Sequence, residues 1–211
     1  MRRSVLLMIV AGVMWVSACS DPSADKTKAV TGEATKVASP AAAAQGQKYL
    51  ITPQNSKIEF TGSKVTGSEN GSFRDFSGQI DFAGTPEQSR VSITIKADSI
   101  TTDSPDLAKH LKTADFFDVA KFPEATFVST SIKAGGENGA SHTVTGNLTL
   151  HGVTKAVTFP ATISVTPGVA SVDSTFSINR KDFGINYAGQ ADNLIRDNVV
   201  LKLTIRANKA S

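Results

Sequence analysis

The sequence predicts an all-β protein, an eight-stranded antiparallel barrel with one short helix in the connection at residues 101–121. Three observations carry that expectation: apolar and polar residues alternate in run after run, turn residues punctuate the runs, and only one connection is long. Period-two alternation puts successive side chains on opposite faces, so each run reads as a half-buried strand of an antiparallel sheet. Val91, Ile93, Ile95 and Ala97 share one face. So do Val157, Phe159, Ala161, Ile163 and Val165, then Val172, Ser174, Phe176 and Ile178, then Val199, Leu201, Leu203 and Ile205.

Strands are expected near 55–66, 72–82, 88–100, 122–134, 141–151, 154–166, 169–180 and 197–207. Turn signals stand at Gly67 to Gly71, Gly84-Thr85-Pro86, 135–139, His151-Gly152 and Pro167-Gly168, and a longer connection spans Lys181 to Arg196. Eight meandering strands can close into a barrel, which removes exposed edges; a sandwich is the architectural alternative. The faces expected to point inward mix Phe with Ala97, Ala161, Ala207, Gly78 and Gly146. Small residues there are expected to leave room for one ligand.

The N-terminus sets the compartment. Arg2 and Arg3 precede an apolar run, Val5 to Val16, that is too short to cross a bilayer and ends in small residues, as a signal peptide does. Its end, Val16-Ser17-Ala18-Cys19, resembles a bacterial lipobox, so residues 1–18 read as a lipoprotein signal peptide and Cys19 as the lipidated residue, carrying palmitate-type acyl chains. Cys19 is the sole cysteine, and an unpaired thiol in an oxidising compartment is a liability unless it is blocked. An ordinary secretory signal cleaved after Ala18 is the alternative. Removing the two arginines lowers the formal charge from +3 to about +1, which excludes a nucleic-acid partner on electrostatic grounds. Ser20 after the cysteine, by resemblance to Gram-negative lipoproteins, favours the periplasmic face of the outer membrane over the inner. Residues 19–48, rich in Ala, Ser, Thr and Lys, read as a flexible tether with a reach on the order of 30 Å. The folded domain is expected over 49–211.

The long connection holds the densest chemistry, KHLKTADFFDVAKFPEATF from Lys109 to Phe127. Asp103 or Ser104 can cap a helix with Pro105 at its first position, Leu107 and Leu111 lie one turn apart, and the helix should end near Lys112. Phe116 and Phe117 follow. This segment is expected to cover one barrel end as a lid, with His110 as a hydrogen-bonded anchor. The rival reading makes His110 an acid, base or metal ligand with Asp106, Asp115 or Asp118. Against it, the chain has only three histidines, no His pair at i and i+4, no nucleophile elbow and no phosphate-binding loop. No enzymatic activity, metal or cofactor is expected.

The segments "ADSITTDSPDLAKHLKTADFFDVAKFPEATFVSTSI", "VTGNLTLHGVTKAVTF" and "FSINRKDFGINY", with "GSFRDFSGQIDF" before them, resemble in order and spacing the YceI-like family of periplasmic polyisoprenoid-binding proteins. The resemblance covers Tyr49 to Ala207. It implies a lipocalin-like eight-stranded barrel whose apolar tunnel holds an isoprenoid quinone or polyprenyl lipid, without catalysis. The chain departs from the family's periplasmic form in its lipobox and tether, and from the common charged "rDxHL" wording at Asp106 to Leu111. Candidate ligand contacts are Phe76, Phe116, Phe117, Phe127, Phe159, Phe176, Phe183 and Tyr187; the better-placed are Phe116, Phe117, Phe183 and Tyr187, in the two longer connections. Arg180, Asp182 and His110 are candidates for the head group or lid, with Asn186 beside them, though turn-forming roles serve the first two equally well. The partners implied are the isoprenoid lipid and, through Cys19, the membrane; the oligomeric state, a homodimer included, is left open. The alternative function is a membrane-anchored stress or surface interaction protein with a packed barrel and no lipid.

Overall fold

The computed structural model describes residues 21–36, 46–191 and 193–210. The expected signal peptide, Cys19 and Ser20 lie outside them. The strands are β1 (Val30–Glu33), β2 (Gln47–Ile51), β3 (Lys57–Lys64), β4 (Gly67–Phe73), β5 (Phe76–Phe82), β6 (Arg90–Lys96) and β7 (Ile100–Thr102). After helix α1 (Pro105–Leu111) come β8 (Glu124–Ala134), β9 (His142–Leu150), β10 (Val153–Val165), β11 (Val169–Asn179), the short ribbon β12 (Gly189–Gln190) and β13 (Asn193–Leu194), and β14 (Asn198–Lys209).

Eight staves close the barrel. The first is β2 followed by β3, both lying along β14; the second is β4 followed by β5, and the third β6 continued by β7. Then β8, β9, β10 and β11 follow as antiparallel neighbours, and β14 closes the ring between β11 and the first stave. Register brings the apolar faces together: Leu201 lies between Phe60 and Phe176, and Phe127 lies opposite Leu148. One-residue slippage would turn each of these files outward, so the alternation itself fixes the pairing.

The structure corrects three sequence expectations. The cluster Gly67 to Gly71 is strand β4, and the turn is Val65-Thr66; Gly71 serves close approach instead, since a Cβ there would stand 2.2 Å from the Phe60 ring. The strand expected at 72–82 belongs to two elements, β4 and β5, separated at Arg74 and Asp75.

The third correction concerns the tether. Residues 21–36 lie on the barrel, and Gln47 and Lys48 already belong to β2. Between β10 and β11 only Thr162 to Val165 pair with Ala170 to Asp173; nearer the helix-bearing end, the N-terminal segment fills the seam. There β1 pairs antiparallel with β10, Val30 opposite Thr158 and Glu33 opposite Lys155, while Lys28 bridges Ser177 of β11. The Ala29 amide donates to the Ser177 carbonyl at 2.8 Å, the Ser177 amide donates to Thr27 at 2.9 Å, and the Ala29 methyl is buried in the core. The physical reason is that two strand edges with unpaired backbone groups are costly when covered, and the seven residues Thr27 to Glu33 can satisfy both without burying much apolar surface of their own.

Candidate functional site

The inward faces do not meet at the barrel axis. They enclose a cavity of about 250 Å³, on the scale where a single water takes roughly 10–15 Å³. Its wall includes Ile58, Phe60, Gly62 and Lys64 of β3 and Val199, Leu201, Leu203 and Ile205 of β14. Six residues of strand rise about 20 Å, so the cavity is a tunnel along the staves. The wall is apolar except at one end, where Ser63, Lys64, Glu69 and Arg180 gather. That end is the mouth. At the other end Tyr49, Ala170 and Ala207 are almost wholly buried, and the Tyr49 hydroxyl donates to the Thr166 carbonyl at 3.0 Å.

The expected room at small residues is corrected in part. A Cβ on Gly146 would stand 2.3 Å from Phe127 Cζ, and one on Gly78 would stand 2.5 Å from the Ser92 carbonyl. These glycines admit a neighbouring ring and a neighbouring backbone, so they shape the wall. The open lumen comes from the barrel's girth.

The mouth is covered by the long connection. Ser104 caps α1, its hydroxyl accepting from the Leu107 amide, and Pro105 opens the helix. After α1 the chain folds back, with the Phe117 amide donating to the Leu111 carbonyl at 3.0 Å and the Phe116 amide to Thr113 at 3.1 Å. This brings Leu107, Leu111, Phe116 and Phe117 onto the tunnel wall. Phe116 packs against His110 and Tyr187, with ring centroids 5.1 Å and 5.2 Å away, and Phe117 meets Phe73 edge-on at 5.8 Å. His110 Nε2 lies 2.8 Å from an Asp115 carboxylate oxygen, tying the end of α1 to the turn that carries the two phenylalanines.

Of the candidate ligand contacts, Phe116, Phe117, Phe127, Phe159 and Phe176 line the tunnel. Phe159 and Phe176 stack with centroids 4.2 Å apart and planes within 7°. Phe76, Phe183 and Tyr187 pack in the clusters behind that wall: Phe76 at the far end, Phe183 fully buried, and Tyr187 behind Phe116. Arg180 reaches the wall, but its guanidinium is engaged. Nε donates to the Arg196 carbonyl at 3.1 Å, Nη1 to Ile185 at 2.7 Å and Nη2 to Ile195 at 3.3 Å, with the Asp197 carboxylate 3.5 Å away. Burial lowers its pKa from the ordinary arginine value, and Asp197 opposes that shift. It clamps the 185–197 loop across the mouth. Asp182 stands on the outer surface, accepting from the Thr31 hydroxyl of β1 at 2.7 Å, and so holds the N-terminal segment. Among the described residues, no three or more His, Cys, Asp or Glu side chains converge as a metal site.

Sequence reasoning did not single out Lys64, Glu69, Ile185 and Ile195, which complete the mouth. For Lys64 the signal was present, since it continues the inward parity of Ile58, Phe60 and Gly62. For Ile185 and Ile195 there was none, because each is an isolated apolar residue in an irregular loop.

Comparison with known proteins gives one consistent result. The profile of the YceI-like domain matches residues 49–207. A UPF0312 protein of Pseudomonas putida strain W619 is 42% identical over 127 residues, 57% of this chain and 65% of the relative's length. One of Pseudomonas fluorescens strain SBW25 is 38% identical over 133 residues, 60% of this chain and 68% of that one. The chain thus spans just under two thirds of the length of the former. Among solved structures, BcnA of Burkholderia cenocepacia superposes with a TM-score of 0.65 at 26% identity, covering 74% of this chain and 99% of BcnA. A polyisoprenoid binding domain from Saccharophagus degradans gives 0.62 at 18% identity, covering 79% and 100%, a likeness of fold.

Proposed function

The chain belongs to the YceI-like family, and from that premise we propose that it binds and carries an isoprenoid lipid, an isoprenoid quinone or a polyprenyl lipid, without altering it chemically. The observation that carries the proposal is the continuous apolar tunnel, sealed at Tyr49 and lidded at Phe116 and Phe117. At about 24 cal/mol per Å³, leaving a cavity of this size empty corresponds to roughly 6 kcal/mol of forgone packing. A protein that served only as a surface would gain by filling it. Each five-carbon unit drawn from water into the tunnel contributes roughly 3 to 4 kcal/mol before losses in chain freedom. An isoprenoid chain matches the shape, being long, narrow and apolar with one polar end. The Saccharophagus degradans domain of the same fold is a polyisoprenoid binder, which supports the ligand class.

Lys64 and Glu69 are the polar wall residues nearest the place a head group would occupy, and the smooth apolar wall leaves chain recognition largely to length. The setting we propose is the periplasmic face of a Gram-negative membrane, the outer membrane by the Ser20 criterion, with Cys19 acylated. Titration of the delipidated protein with a quinone and with a polyprenyl lipid, read by mass spectrometry of both protein and ligand, tests the reading. Saturable one-to-one uptake with the ligand recovered unchanged supports it. Reproducible turnover that disappears in His110→Ala would replace it with an enzyme.

A further inference from the structure

The N-terminal segment that fills the β10–β11 seam does not end at random. Asp21 lies 3.5 Å from Arg196 Nη1, and the Arg196 amide donates to the Ser63 carbonyl at 2.9 Å, beside the mouth residues Lys64 and Ile195. Ser23 is buried, its amide and hydroxyl both bound to the Asp21 carboxylate at 2.9 and 2.8 Å. From there the segment is fastened along the barrel: Asn138 to Thr27 at 2.7 Å, Thr31 to Asp182 at 2.7 Å, and Asn147 to the Thr35 carbonyl at 2.7 Å. The described chain therefore begins beside the tunnel mouth, and in the sequence Cys19 precedes Asp21 by two positions.

The same end presents apolar side chains to solvent. Among the described residues four large apolar side chains are exposed, Val30, Leu50, Val65 and Leu194. Val65 and Leu194 sit together at the mouth, the Val65 amide donating to the Leu194 carbonyl at 3.1 Å. Lys64 flanks them, and a lysine beside apolar tips suits an interface, its stem in the acyl region and its ammonium among phosphates.

We propose that the docked N-terminal segment fixes the barrel mouth-down on the lipid bilayer, with Val65 and Leu194 inserted in the interface, so that a lipid passes between membrane and tunnel without crossing water. The proposal deepens the carrier reading and rests on it. The start of the docked segment, the apolar tips and the opening lie at one end, whereas a free tether would leave orientation random. An acylated cysteine holds a protein at the bilayer without setting its orientation, and exposed apolar tips at the mouth supply the orienting contact.

The test uses the chain from Cys19 onward, whose thiol is the only one and which carries no tryptophan. Cys19 is coupled to a maleimide phospholipid in phosphatidylcholine vesicles, and one tryptophan is introduced at a time by Val65→Trp, Leu194→Trp, Leu50→Trp or Val30→Trp. With brominated acyl chains, quenching at 65 and 194 should exceed that at 50 and 30 by at least threefold. Equal quenching at all four, or stronger quenching at 50 or 30, overturns the proposal. Undocking the segment by Ala29→Glu, or more mildly by Thr31→Ala with Asp21→Asn, should erase the contrast; a contrast that survives undocking shows that the segment does not set the orientation. Chemical coupling makes the outcome independent of acylation in the cell. Because the probes report position alone, an empty tunnel, the failure of the carrier reading, leaves the orientation result interpretable.

Discussion

Phe116→Ala separates a lid from a core. Phe116 is 7% exposed and touches two environments, the tunnel on one side and His110, Tyr187, Leu111 and Ile185 on the other. A buried phenylalanine covers about 200 Å²; split evenly at about 25 cal/mol per Å², each side is worth roughly 2.5 kcal/mol. The empty protein should therefore lose about 2.5 kcal/mol, because only the lid contacts are missing and the strand ladders are whole. The loaded protein loses the lumen side as well, and about 2.5 kcal/mol at 1.4 kcal/mol per decade is a roughly 60-fold faster lipid release. Phe159→Ala is the comparison. Phe159 is stacked on Phe176 and tilted against Phe127 mid-barrel, so its loss should cost about 3 to 5 kcal/mol of folding stability. Denaturant unfolding of delipidated protein and dissociation of a quinone from loaded protein, on both variants, decide the matter. If Phe116→Ala loses as much stability as Phe159→Ala and releases lipid no faster than wild type, Phe116 is ordinary core and the lid is misassigned.

Four further outcomes are expected. Gly146→Ala presses on the Phe127 ring and on the Val128 carbonyl, so it should cost about 1 to 3 kcal/mol and reduce lipid occupancy in native mass spectra, with Phe127→Leu restoring occupancy and only part of the stability, since the backbone contact at 2.7 Å stays. Arg180→Ala leaves the carbonyls of Ile185, Ile195 and Arg196 without their donor and should cost about 3 kcal/mol while freeing the 185–197 loop to hydrogen exchange. The Asp21 carboxyl is held below the ordinary aspartate range, first by the Ser23 amide and then by its hydroxyl; a depressed folded value means that its hold on the N-terminal turn is complete above the unfolded value and is lost as pH falls through the folded one, so the Ser23 amide resonance should titrate below about pH 4, and Asp21→Asn should abolish the transition. Cys19→Ala should move the protein from the membrane fraction to the soluble periplasm or stall its processing; unchanged fractionation with no acyl mass on the native protein would contradict lipidation.

The barrel was legible because its information is local. Parity along a strand, as at Val199 to Ile205, survives without knowledge of the partner, and Ser104-Pro105 announces a helix start wherever it lies. The seam strand was not legible for the opposite reason. Val-Thr-Gly-Glu at 30–33 has no apolar face of its own and draws its stability from two edges contributed by residues more than a hundred positions away. Gly67 to Gly71 misled because glycine marks both turns and close approach, and only the Phe60 ring tells which. At the site, the Phe116 and Phe117 lid followed from a lone long connection, whereas Arg180 and Asp182 could not be separated by type. One clamps the mouth loop and the other holds the N-terminal segment, a distinction set by tertiary neighbours.

The central claim is that the tunnel carries an isoprenoid chain, and the most direct test is the mass of the protein as it leaves its own cell envelope. Native mass spectrometry of the gently purified chain, followed by solvent extraction and identification of what separates from it, should give a one-to-one adduct whose extracted mass steps by isoprene units, and Phe116→Ala should lower its abundance. A wild-type barrel that emerges at its bare covalent mass, or an extract of ordinary phospholipid in no fixed ratio, would contradict the account.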